Sequence, residues 1–163
     1  MKIRGSVVKY GDNIDTDVII PGKYLGITDP EELGRHAMEG LDPEFPSKIR
    51  RTGVLVAGVN FGCGSSREEA PLALKFSGVK CVIAKSFARI FFRNAINVGL
   101  PIVVCPEAVE KVGEGDKLTI DLAEGTIVNE SKGETYRVVS LPKFILDILR
   151  DGGLIPHLRR KSL

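Results

Sequence analysis

The residues with the clearest chemical potential lie between Gly58 and Ala70, in the string GVNFGCGSSREEA. Gly62 and Gly64 let a backbone pass close to a ligand. Two hydroxyls and a guanidinium follow at once, in Ser65, Ser66 and Arg67. The string leaves an apolar run that reads as a strand and enters one that reads as a helix. The serines therefore fall at or just before a helix N-terminus, where free amides and the dipole favour an anion. Arg67 can grip a carboxylate or phosphate through two parallel hydrogen bonds. The chemistry expected is an oxyanion site of backbone, hydroxyls and one fixed cation. A second reading stands beside it, because Ser65 with Glu68 and Ser66 with Glu69 both have capping-box spacing. The two are compatible, since one serine can cap while the other points outward. Pro71 has no amide donor and disfavours helical backbone at Ala70, which predicts a late or irregular helix start with the serines in a loop.

Three known motifs do not fit this string. A dinucleotide fingerprint needs a third small residue where Arg67 stands, and an acid near the end of the next strand, where Lys85 stands. The Gly-Lys-Ser/Thr of a P-loop is absent, as is the Gly-x-Ser-x-Gly of a hydrolase elbow. The three cysteines, Cys63, Cys81 and Cys105, form no Cys-x-x-Cys, and their gaps match no local zinc or iron–sulfur spacing. With only His36 and His157, a histidine-rich metal site is excluded too. No metal or cofactor is expected on this chain.

The elements that must position the string are the most regular of the chain. Val54–Val59, Val79–Ala84 and Ile102–Cys105 read as apolar strands. Glu68–Phe76 and Phe87–Ile96 read as helices between them, with Ser86 as the cap of the second. That order predicts a parallel βαβαβ unit with helices on both faces. Before it come a strand over Lys2–Tyr10, a Gly11-Asp12-Asn13 turn and the short apolar run Val18-Ile19-Ile20. A loop over Lys23–Asp29 follows, then a helix capped by Asp29, opened by Pro30 and running to about Met38. The string LDPEFPSK reads as a loop. After Pro106, KLTIDL, TIVN and TYRVVS predict an antiparallel meander turning at Gly125 and Gly133. A last helix should start at Pro142 and end at Gly152-Gly153, leaving RRKSL as a frayed, solvated tail. The fold class expected is α/β, with residues 1–163 forming one domain.

Composition narrows the function. The chain has 163 residues and a formal charge of +2, so nothing in its balance demands a nucleic acid. With 43% hydrophobic and 27% charged residues it is too apolar for a disordered chain. It has no apolar run of membrane-spanning length and no leader-like N-terminus, which sets the expectation of a cytoplasmic protein with no membrane partner.

NFGCGSSRE, followed by AKSFARIFFRNAINVGLP and preceded by DNIDTDVIIPGKYL, resembles the small subunits of 3-isopropylmalate dehydratases. These are the swivelling-domain partners within the aconitase superfamily. The resemblance spans nearly the whole chain, with its motifs in the family's order. It implies a swivelling β/β/α fold. It also implies the isomerisation of 2-isopropylmalate and 3-isopropylmalate through a dehydrated intermediate, in leucine biosynthesis. A separate large subunit would carry a 4Fe–4S cluster, whose open iron acts as a Lewis acid on the substrate hydroxyl. The partners implied are that iron–sulfur subunit and a small hydroxy di-acid.

The resemblance also implies site roles. Ser65 would be the base that removes a carbon-bound proton, as an alkoxide stabilised by surrounding donors. Ser66 and Arg67 would bind substrate carboxylate. Asp17 matches a superfamily acid near the active site and would orient a charged group, although a turn or cap aspartate fits the sequence equally well. Substrate choice would lie in the loop containing Tyr24, Leu25, Gly26 and Ile27. Relatives acting on tricarboxylic acids tend to carry an arginine where Gly26 stands. Without that cation a third carboxylate is poorly paired, while an isopropyl group is tolerated beside Leu25 and Ile27. Homoaconitate is thereby disfavoured; citraconate or dimethylmalate is not. A stand-alone anion-binding module is the reading from a different class. Arg89 and Arg93 share a helical face and fit a solvated surface, the more common case, or a contact with substrate or the large subunit. Cys63 reads as a small packed thiol, and His36 and His157 carry no assigned role.

Overall fold

The computed structural model describes residues 1–162. The elements in chain order are β1 (Lys2–Lys9), α1 (Thr16–Ile19), a single 3-10 turn at Gly22–Tyr24, α2 (Pro30–Gly34), α3 (Phe45–Thr52) and β2 (Gly53–Ala57). They continue as α4 (Glu69–Ser77), β3 (Cys81–Ala84), α5 (Arg89–Val98), β4 (Ile102–Val104), α6 (Pro106–Lys111), β5 (Lys117–Asp121), β6 (Thr126–Asn129), β7 (Glu134–Arg137), α7 (Lys143–Arg150) and α8 (Leu154–Lys161). All seven strands join one sheet in the order β4-β3-β2-β1-β5-β6-β7.

β1 to β4 run parallel, with Val7 opposite Val54, Leu55 opposite Val82 and Ile83 opposite Val103. Every residue of β2 and β3 is buried, as strands covered on both faces require. The meander attaches antiparallel to β1, with Ile3 opposite Ile120, and continues through β6 and β7. The expected α/β class, with a parallel βαβαβ unit and an antiparallel addition, is what the sheet shows. Among the described residues no helix is long and apolar enough to cross a membrane.

One apolar run finds its element here, and four local expectations need correcting. Of the run Val18-Ile19-Ile20, the first two residues belong to α1 and Ile20 follows it in extended backbone; the cap is Asp15, whose carboxylate accepts from Val18 N at 2.8 Å. α2 stops at Gly34 rather than near Met38, and Met38 turns left-handed (φ 60°) to bury its side chain fully. LDPEFPSK is not a loop throughout, because α3 starts at Phe45. Pro46 stands in its first turn, where a missing N–H costs nothing, and Phe45 and Ile49 bury one face. α6 likewise opens on a proline, Pro106. The C-terminal region holds two helices, not one, and Gly152-Gly153 breaks the chain between them. Arg159, Arg160 and Lys161 of the expected frayed tail are the exposed last turn of α8, Ser162 closes it, and Leu163 lies outside the described residues.

Candidate functional site

Parallel α/β sheets tend to place ligands beyond the carboxyl ends of their strands. Here the loops leaving β1, β2 and β3 are knit together at that edge. Asn13 N donates to Val59 O at 2.9 Å, Gly62 N to Ile14 O at 2.7 Å, and Thr16 N to Cys63 O at 2.8 Å. On the other side Phe61 N donates to Ser86 O at 3.0 Å and Ala88 N to Phe61 O at 2.9 Å. The Gly58–Gly64 turn is thus held between two neighbouring loops by its backbone.

Two glycines of the turn are sterically required. A Cβ on Gly58 would lie 1.7 Å from Asp12 Oδ1, the oxygen that accepts from Val59 N at 2.8 Å. Gly62 has φ 83°, and a Cβ there would lie 2.2 Å from the Phe91 ring. Phe91 in turn meets Phe61 edge-on, with ring centroids 5.3 Å apart. The close approach of turn to helix fixes where the next residues emerge.

Neither serine caps α4. That helix begins only at Glu69, with Glu68 at the cap position and no side-chain capping bond. Pro71 in the first turn is why the start is late. Ser65 and Ser66 are both exposed in the loop. The Ser86 cap is absent too: Ser86 Oγ accepts from Asn60 N at 2.7 Å, and Ala88 opens α5.

Arg67 is tethered rather than free. Its Nη1 donates to Asp17 Oδ1 at 3.3 Å and to Ile20 O at 3.2 Å, and its side chain is 20% exposed. Asp17 also accepts from Gly22 N at 3.2 Å. An ion pair with so exposed a partner adds little stability, so its consequence is orientation of the guanidinium. The structure thereby brings Asp17 and Arg67 together.

Ser65, Ser66 and Arg67 line a cleft of ≈ 290 Å³ with Thr16, Gly62 and Gly64. The opposite wall is the start of α5: Ala88, Arg89, Ile90, Phe91 and Asn94. Arg89 therefore faces the cleft, while Arg93 is an exposed residue outside its lining. Thr16 and Asn94 lie inside the strings DNIDTDVIIPGKYL and AKSFARIFFRNAINVGLP, but they escaped sequence reasoning because neither type marks a reaction by itself and each sits on a different element from the serines.

Tyr24, Leu25, Gly26 and Ile27 are outside the lining of this cleft, although Gly22 of the same loop contacts the Asp17–Arg67 pair at its rim. Tyr24 stacks on His36 with centroids 3.9 Å apart and planes 11° apart, and its hydroxyl donates to Glu39. His36 Nδ1 contacts the same carboxylate at 2.9 Å. Leu25 and Ile27 are half-buried against the core. Gly26 is exposed, and a Cβ there would meet nothing within 4 Å. His157 is buried and holds Asp151 at 2.8 Å, an interaction that ties α8 to the end of α7.

Cys81 and Cys105 are buried, and burial pushes the Cys81 thiol up to about 12 and raises that of Cys105. Among the described residues no group of three or more His, Cys, Asp or Glu side chains could hold a metal ion.

The geometry is that of an α/β domain with a small polar cleft at the carboxyl ends of its parallel strands. A model of the aconitase C-terminal domain matches residues 38–107. The 3-isopropylmalate dehydratase small subunit of Caldanaerobacter subterraneus subsp. tengcongensis is 55% identical over 98% of this chain and 99% of its own length. The isopropylmalate/citramalate isomerase small subunit of Methanocaldococcus jannaschii is 54% identical over 98% of this chain and 95% of its own. A crystal structure of 3-isopropylmalate dehydratase from the same archaeon superposes with a TM-score of 0.92 at 48% identity, covering 99% of this chain and 96% of that one. The chain belongs to the family of 3-isopropylmalate dehydratase small subunits.

Proposed function

We propose that this chain is the small subunit of a hydro-lyase that interconverts 2-isopropylmalate and 3-isopropylmalate by dehydration and rehydration. The observation that carries the reading is the joint placement of Ser65, Ser66 and the oriented Arg67 guanidinium in one cleft. Near full-length identity to named small subunits supports it. Those names also support a large subunit as partner. The cleft's open mouth, with both serines exposed, suits a site closed by a second chain.

In this reading Ser65 takes the proton from the carbon beside a carboxylate. A serine hydroxyl is a poor base at neutral pH and needs its oxyanion stabilised by nearby donors. Arg67 and the amides of Cys63 and Gly64 are the groups at hand, since the Gly62 amide is held by Ile14 O. Ser66 and Arg67 hold a substrate carboxylate, and Asp17 aims the guanidinium. Among the described residues an iron–sulfur cluster finds no ligand set. The large subunit is the partner to which such a group is assigned.

Gly26 supports a substrate without a third carboxylate. Neither sterics nor backbone geometry demands a glycine there, so a longer side chain would fit. Its absence leaves the loop without the cation a tricarboxylic acid would need.

The test mixes the chain with its large subunit, prepared anaerobically, and follows the unsaturated intermediate by absorbance. Substrates are isopropylmalate, citramalate and homocitrate. Activity on isopropylmalate that needs both chains is the expected result. An intact complex inactive on every acid, with tight dicarboxylate binding by the isolated chain, would replace this reading with a stand-alone anion-binding module.

A further inference from the structure

Besides the two serines and Arg89, two polar side chains that line the cleft have no hydrogen-bond partner among the described residues. Thr16 is 3% exposed, yet its hydroxyl lines the cleft. Among the described residues no polar side-chain atom sealed from solvent lacks a partner, so the unpaired Thr16 Oγ1 is not sealed, and the cleft lined by Thr16 and Gly64 is the space it opens onto. Its place is fixed from both sides. Thr16 N is bonded to Cys63 O, and a Cβ on Gly64 would lie 3.3 Å from Thr16 Oγ1. Asn94 is the second. It lies one turn beyond Phe91, the ring packed on Gly62, and its half-buried amide lines the opposite wall. Asparagine is a poor helix former, so a mid-helix amide with no partner in its own chain has no structural reason to be there.

The chemistry of the cleft calls for more donors than Arg67 supplies. A di-acid brings two carboxylates into a space from which water is displaced, and each oxygen left without a donor is costly. Arg67 already spends Nη1 on Asp17 and Ile20. We propose that Thr16 Oγ1 and Asn94 Nδ2 are further substrate-binding donors, which hydrogen-bond the carboxylate oxygens of the hydroxy di-acid. Thr16 serves from the floor of the cleft and Asn94 from its α5 wall. This deepens the functional reading above and rests on it.

The test uses the assembled enzyme with Thr16→Val, Thr16→Ser and Asn94→Asp, beside Ser65→Ala. Valine keeps the shape of threonine and removes the donor; serine keeps the donor. Aspartate keeps the shape of asparagine and replaces the donor with an anion. The expected result for Thr16→Val is a fall in kcat/KM of about tenfold to a hundredfold, the usual effect of deleting a hydrogen bond to a charged group. The inhibition constant of succinate, a di-acid that cannot react, should rise by a similar factor. Asn94→Asp should lose more, and Thr16→Ser should stay close to wild type. Ser65→Ala should lose kcat while leaving the succinate constant unchanged, which separates failure of the base assignment from failure of this one. Wild-type kcat/KM and succinate inhibition in Thr16→Val and Asn94→Asp, with complex assembly intact, would overturn the proposal. Should Thr16→Val fail to assemble, Asn94→Asp against Thr16→Ser makes the same decision.

Discussion

The meander and the carboxyl-edge cleft of the parallel half treat buried polar groups in opposite ways. In the meander, Asn129 is wholly buried and fully employed: its amide donates to Asp116 Oδ2 at 3.0 Å and its carbonyl accepts from Lys132 N at 3.1 Å. Asp116 also accepts from Gly113 N at 2.8 Å and pairs with Lys132 at 3.3 Å. Tyr136, 2% exposed, donates to Glu134 at 2.8 Å. At the carboxyl edge of the parallel half, Thr16 is nearly as buried and its hydroxyl has no partner among the described residues. Polar groups that complete one another hold a fold together. Polar groups left open in a cleft await something from outside. That difference separates the scaffold of this chain from its site.

Substitutions on the two sides should therefore fail in different currencies. The largest effect belongs to Ser65→Ala, which should cut the turnover of the assembled enzyme by about 10²- to 10⁴-fold, the usual worth of a general base. Its thermal unfolding should match wild type, since Ser65 is exposed and caps nothing.

Gly62→Ala comes next. It drives a methyl into the Phe91 ring from a left-handed backbone and should cost about 2–4 kcal/mol, read by denaturant unfolding. Asn129→Ala strands Asp116 and the Lys132 amide. It should cost about 2 kcal/mol, or about 4–8 °C in Tm, with KM unmoved. A rise in KM would erase the distinction between meander and cleft.

The meander should also carry part of the acid sensitivity. The Gly113 amide first, then the Asn129 amide and the Lys132 cation, hold the Asp116 carboxyl below its usual range. A carboxylate depressed by folding contributes stability that is complete above the ordinary aspartate value of about 4 and is lost as pH falls through its folded value. Tm measured from pH 7 to pH 2 should show Asp116→Asn less stable at neutral pH. It should converge on wild type in acid. The smallest effect on stability is expected of Gly26→Arg, within about 0.5 kcal/mol because the space is open. Its readout is specificity, with turnover shifting from isopropylmalate towards homocitrate-type acids.

Much of the parallel half is legible in the sequence because strands buried on both faces are written as unbroken apolar runs, such as VLVA and CVIA. The meander shows through its turn glycines. The prolines of α3 and α6 concealed two helices, since a proline in the first helical turn looks like a loop signal when nothing downstream is periodic. At the site, the capping-box spacing of Ser65 and Ser66 is present but unused, because Pro71 delays the helix. Asp15 rather than Asp17 caps α1, which leaves Asp17 for Arg67. Thr16 and Asn94 were invisible because their significance is an absence of partners. That is a property of three-dimensional packing and leaves no pattern along the chain.

The most direct measurement follows the proton itself. The assembled enzyme, wild type and Ser65→Ala, is given isopropylmalate tritiated at the carbon that loses hydrogen, and release of the label to water is timed. Wild type should release it during turnover. Ser65→Ala should release almost none, with the complex assembled and its Tm unchanged. Release at the wild-type rate by Ser65→Ala would show that another group takes the proton, and Ser65 would lose its place as the base.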